Sequence, residues 1–146
     1  MRWIAISGSW RNCTKDVELD VRKVVREVMS RGDGIVVGGA PGVDYFATDE
    51  SIKMDPQAKH VRIFLPTSLR FYLTHTNYRA NEGVVKKDDA ELLVKQLENV
   101  HKINPSAIVE QKDIPGNRYV EKKQYYGRNG AIVASADELI VNKINN

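Results

Sequence analysis

A chain of 146 residues has the length of one domain, large enough to bury a core without disulfides or a metal. Its 42% hydrophobic and 28% charged content excludes a disordered protein, and a net charge of +3 attracts phosphates but falls well short of a nucleic-acid footprint by itself. The single cysteine, Cys13, excludes an intrachain disulfide and suits a reducing, cytoplasmic setting; no apolar run approaches the roughly 20 residues that span a bilayer.

The first residues lack a signal-peptide pattern and pass straight into Trp3-Ile4-Ala5-Ile6-Ser7. This apolar run, ended by Gly8, predicts a strand buried on both faces of a parallel sheet. Thr14 is placed to cap a helix in which Val17, Val21, Val24, Val25 and Val28 recur at helical spacing, with Gly32 as its left-handed terminator. Gly34-Ile35-Val36-Val37 predicts a second buried strand, followed by the turn Gly38-Gly39-Ala40-Pro41-Gly42. A second helix runs from Val43 to about Met54, stopped by Asp55-Pro56, and Val61 to Leu65 predicts a third strand. Residues 67–87, polar, aromatic and basic, predict a short helix and then a surface excursion. Asp88 and Glu91 resemble a capping pair for a helix carrying Leu92, Leu93, Leu97 and Val100. Ala107 to Val109 predicts a fourth strand, Asn117 the cap of a helix reaching about Ser135, and Leu139 to Val141 a last strand. A doubly wound domain often adds another loop and helix there, and the chain stops five residues later, so it either dispenses with that helix or is shortened.

Strands alternating with helices at short spacing predict an α/β fold of Rossmann-like, three-layer build with a mainly parallel sheet, as one domain over residues 1–146.

The glycine turn is the most informative stretch. Glycines between a buried strand and a helix let the backbone approach a ligand closely, and the free N–H groups at the helix start favour an anion such as phosphate. The spacing is neither G-x-G-x-x-G nor that of a P-loop, and a tight strand-to-helix connection accounts for the glycines equally well. The first strand also ends in a polar turn, Gly8-Ser9-Trp10-Arg11-Asn12, and both turns should open on the carboxyl edge of the sheet, where ligands bind in such folds. Arg11 would then fork onto a phosphate, Ser9 donate a hydrogen bond and Trp10 offer a stacking face, against the plainer readings of a solvated Arg and a core Trp. Asp44 would hold a ribose hydroxyl or simply cap its helix. Glu50, six residues on and about 1.7 turns away, falls nearly on the opposite helix face and reads as solvated. Taken alone, Arg128 in Tyr125-Tyr126-Gly127-Arg128-Asn129-Gly130 is a surface charge. His60, His75 and His101 stand isolated and Cys13 has no nearby partner, so no metal-ligand spacing and no nucleophile-base pair is visible.

Three blocks then carry a resemblance in chain order. Ile6-Ser7-Gly8-Ser9, Val37-Gly38-Gly39-Ala40-Pro41-Gly42-Val43-Asp44 with Ala47 behind it, and Arg128-Asn129 with Ala136-Asp137-Glu138-Leu139-Ile140 resemble the SLOG superfamily of Rossmann-like proteins. That superfamily includes the lonely-guy phosphoribohydrolases and the Smf-type DNA-processing proteins. The resemblance implies a nucleotide site at the strand ends built from Gly8, Ser9 and Arg11, from Gly38, Gly39, Gly42 and Asp44, and from Arg128 and Asn129. It also implies a homodimer. Two departures stand out. The lonely-guy P-G-G-x-G-T-x-x-E block and its catalytic Glu are missing, with Asp44 following Val43 and Glu50 out of step; and Pro41 stands where Smf-type proteins usually have Arg.

The expectation is a nucleotide-binding or nucleotide-sensing protein that holds phosphate on the amides of Gly39 and Gly42 with Arg11 and Arg128. One alternative is an N-glycosidic hydrolase of nucleotides with Asp44 or Glu50 as acid-base group, and the other a single-stranded DNA binder. No metal or membrane role is expected.

Overall fold

The computed structural model describes residues 1–11, 13–112 and 115–141; Asn12, at the end of the first polar turn, lies outside them. Five parallel strands form one sheet: β1 (Trp3–Ser7), β2 (Gly34–Gly38), β3 (Val61–Phe64), β4 (Ile108–Val109) and β5 (Glu138–Val141). Their spatial order is β4-β3-β2-β1-β5, so the first four strands march outward and the fifth returns to the far side of β1. This is the Rossmann-like α/β arrangement that the alternating pattern predicts.

Residue alternation divides the sheet into two faces. Ile4, Ile6, Ile35, Val37, Ile63 and Leu65 point into the larger core, where α1 (Lys15–Ser30), α2 (Val43–Met54) and α4 (Lys87–Ile103) cover them. Val21, Val25 and Val28 of α1 and Leu93, Leu97 and Val100 of α4 are fully buried there, each contributing about 1.5–3 kcal/mol. Ala5, Val36 and Phe64 face the other way and are covered by Ala131 and Ile132 of α5 (Lys122–Ser135). Asp137 fastens β5 to β1: its carboxylate accepts the Trp3 N–H at 2.7 Å, and its own N–H donates to the Trp3 carbonyl at 2.7 Å.

Local signals held where they were strong. Thr14 accepts the Val17 N–H at the start of α1, and Gly32 takes φ 90° beyond its end. Elsewhere the structure corrects the expectation. The segment after β3 is a full helix, α3 (Leu69–Asn81), capped by the Ser68 hydroxyl on the Phe71 N–H. Helix α4 begins at Lys87 with Lys86 in the cap position, so Asp88 and Glu91 lie inside the helix; α5 begins after Glu121, whose N–H donates to the Gln124 side chain, and not at Asn117. Ala107 closes a 3-10 turn instead of opening β4.

Candidate functional site

The turns after β1 and β2 meet, as the strand order requires. The Val43 N–H, first in α2, donates to the Ser9 carbonyl at 3.0 Å. Gly42 caps α2 at φ 76° and ψ −127°, and a Cβ there would lie 2.5 Å from that same carbonyl oxygen and 2.9 Å from Trp10 Cα. Only glycine allows both the positive φ and this approach. Gly8 likewise leaves room for Val43.

Part of the glycine turn is engaged by the protein itself. Asp44 turns its carboxylate back to accept the Ala40 N–H at 3.2 Å, and the Gly38 backbone also supports it. Burial pushes the carboxyl up to about 6, against the pull of the Arg128 charge and the two backbone donors. Tyr72 donates its buried hydroxyl to the Gly39 carbonyl at 2.8 Å. Gly38 and Gly39 are buried, Gly38 beneath Asp44 and the Arg128 guanidinium. The Ser9 hydroxyl is spent locally, donating to the Arg11 carbonyl at 2.6 Å.

Open space lies on both sides of Trp10 and Pro41. One hollow, about 410 Å³, is lined by Arg11, Gly42, Tyr45, Lys86 and Asp89. Arg11 lies over the Trp10 ring there, 4.7 Å from its centroid. The other, about 540 Å³, lies between the Ala40-Pro41 turn, α3 and α5, and takes Tyr72, His75, Thr76, Arg79, Tyr125 and Arg128 into its walls. The structure therefore brings Arg128 to the glycine turn while placing Arg11 and Gly42 in the neighbouring hollow.

Arg128 is the least satisfied group of this edge. Its Nε donates to the Asn129 side chain at 2.9 Å, which fixes the guanidinium, but its buried Nη1 has no hydrogen-bond partner within the protein. A donor nitrogen withdrawn from water without a partner is costly, and an acceptor that reaches it offsets that cost. Across the cavity, Arg79 stacks on Tyr119 at 4.3 Å and reaches Glu82 at 3.5 Å.

His75, read from sequence as isolated, is buried and bonded at both ring nitrogens: Val120 donates its N–H to Nδ1 at 3.0 Å, and Nε2 lies 3.3 Å from the Tyr125 hydroxyl. Burial, helped by the Arg79 charge, pulls it down to about 4. Its partners lie 45 and 50 residues away, beyond any local pattern. Glu50, expected solvated, is buried against α1, with carboxylate oxygens 3.3 Å from Arg22 and 3.5 Å from Arg26. It holds two helices together. Among the described residues no group of His, Cys, Asp and Glu could hold a metal, and no helix is long and apolar enough to cross a membrane.

No protein-family profile matches the chain, and no curated protein matches it in sequence. Among solved structures it is similar to DNA processing protein A from Helicobacter pylori, described for its mode of binding single-stranded DNA. The likeness has a TM-score of 0.60 at 22% sequence identity and covers 96% of this chain and 53% of that one. The chain thus spans about half the length of that neighbour, and what the two share is the fold.

Proposed function

We propose that this chain binds a phosphate-bearing nucleotide in the cavity between the Ala40-Pro41 turn, α3 and α5. One observation carries the reading: Arg128, a half-buried arginine whose Nη1 finds no hydrogen-bond partner in the protein, lines a cavity of about 540 Å³ at the carboxyl edge of a parallel sheet. That edge is where ligands bind in open α/β folds. A second arginine, Arg79, and the rings of Trp10 and Tyr125 give the same cavity the cations and apolar surfaces that phosphate and base require. The sequence blocks that resemble the SLOG superfamily support the same assignment.

In this reading Asn129 positions Arg128, and the glycines of the turn act through close packing. Gly38 leaves room for the Arg128 guanidinium, which a Cβ would meet at 2.5 Å, and Gly42 lets the first turn approach the second. Asp44 balances the arginine charge from beneath. Titration calorimetry with nucleoside mono-, di- and triphosphates tests the proposal. Binding in the micromolar range by at least one of them is expected, and no binding below millimolar for any would overturn it.

A second reading, single-stranded nucleic acid, is favoured by a separate feature. Beside the cavity, arginines and tyrosines interleave: Arg79 and Arg118 lie 4.3 and 5.2 Å from the Tyr119 ring centroid, and Arg118 lies 4.9 Å from that of Tyr78. Stacking faces alternating with cations suit successive bases and phosphates of one strand. The structural neighbour is described as a single-stranded DNA binder, which adds weight. Fluorescence anisotropy with a labelled oligothymidylate separates the readings: a strand ligand gives affinity that falls steeply with salt, whereas absent binding at low salt removes it.

A further inference from the structure

The hydrogen bonds around His75 fix where one proton on the cavity wall must point. A backbone N–H only donates, so the Val120 contact at 3.0 Å makes His75 Nδ1 an acceptor. A neutral imidazole with that acceptor carries its proton on Nε2. Nε2 lies 3.3 Å from the Tyr125 oxygen, so the imidazole donates and the phenol accepts. The Tyr125 proton is therefore excluded from the bond to His75 and is left to serve another acceptor. Burial pushes the Tyr125 hydroxyl up, so the proton stays in place at neutral pH.

Tyr125 and Arg128 line the same cavity, and the Arg128 guanidinium carbon lies 5.4 Å from the Tyr125 ring centroid, one helical turn along α5. Other hydroxyls at this wall are already engaged: Tyr72 donates to the Gly39 carbonyl and Thr76 to the Tyr72 carbonyl. What the wall offers is a directed hydroxyl donor and the guanidinium of Arg128, a pair that fits an oxyanion and disfavours a neutral donor group.

We propose that Tyr125, its proton directed by His75, and Arg128 together receive one phosphate group of the ligand. This inference rests on the nucleotide reading above and gives the phosphate a place on α5, beside the glycine turn. His75 is a positioning residue, acting only through Tyr125. The phosphate is the terminal group of a free nucleotide or a phosphodiester of a strand, and the two are separated by the ligand used.

The experiment measures binding of AMP, GMP, CMP and UMP, of the matching nucleosides, and of a short oligothymidylate to the wild type, Tyr125→Phe, His75→Phe and His75→Gln. A free-nucleotide phosphate predicts that the wild type prefers monophosphates to nucleosides by at least about tenfold, and that Tyr125→Phe removes most of that preference while leaving nucleoside binding unchanged. A strand phosphodiester predicts the same loss with the oligothymidylate alone. His75→Phe should weaken the same phosphate ligand, and His75→Gln, which restores a donor facing Tyr125, should recover part of it. Phosphate-dependent binding that survives intact in Tyr125→Phe would overturn the inference while sparing the nucleotide reading; no binding of any phosphate ligand by the wild type would overturn both. Should these variants fold poorly, the unaltered protein gives an independent answer: long-range proton–nitrogen NMR must show His75 as the Nε2–H tautomer, and an Nδ1–H signal would contradict the relay.

Discussion

Asp44 accepts the Ala40 N–H from inside the glycine turn, so its carboxylate is held by the backbone at Gly38 and Ala40, the neighbours of the Gly39 amide. That carboxylate sits at about 6 and His75 at about 4, and their effects on stability oppose one another. Between pH 4 and 6 the unfolded chain leaves Asp44 ionised while the fold keeps it protonated, so its contribution falls as pH rises. Between pH 4 and 6.5 the unfolded chain protonates His75 while the fold keeps it neutral, so its contribution falls as pH drops. Each amounts to about 3 kcal/mol, and in the wild type the two largely offset one another across this window. Asp44→Asn leaves His75 unopposed. Urea unfolding should show that variant losing stability steadily from pH 6.5 to 4; a level profile would contradict the assignment.

Two glycines give opposite predictions. Gly42→Ala meets positive φ and the Ser9 carbonyl together, and should cost about 2 kcal/mol or more. Gly130 lies within α5 with nothing near its would-be Cβ, so Gly130→Ala should stabilise by about 0.5–1 kcal/mol. Thermal unfolding of both variants checks the pair.

Glu50→Ala should destabilise without touching ligand binding. It removes a carboxylate from Arg22, which keeps Glu18 at 2.9 Å and Asp49 at 2.7 Å, so the loss should be about 1–2 kcal/mol. A variant of unchanged stability that no longer binds nucleotide would restore Glu50 as a site residue.

Arg128→Leu should lower both affinity and stability. It strips the buried Asp44 carboxylate of its countercharge and should cost about 1 kcal/mol or more at neutral pH, while nucleotide affinity falls tenfold or more. Urea unfolding and calorimetry on one preparation read both effects; lost stability with retained affinity would contradict the site.

The sequence displayed what depends on near neighbours. Apolar runs marked β1 to β3, and the valines of α1 with Thr14 and Gly32 marked that helix closely, because both signals lie within a few residues of their effect. Helix α3 showed no apolar stripe, since the face it buries carries Tyr72, His75 and Thr76, of which Tyr72 and His75 are satisfied by distant partners and Thr76 by the Tyr72 carbonyl one turn back. Glu50 looked solvated because its counterions sit on another helix, 24 and 28 residues earlier. The convergence of the first two turns followed from strand order alone. That Asp44 turns back onto one of them, and that His75 directs Tyr125, followed only once side chains met.

The most direct test of the central claim is a crystal structure of the protein grown with a nucleoside monophosphate that binds it. The account predicts phosphate density within hydrogen-bond distance of the Arg128 guanidinium, in the cavity between α3 and α5. Phosphate bound instead in the Arg11 hollow, or on the surface with Arg128 untouched, would contradict it.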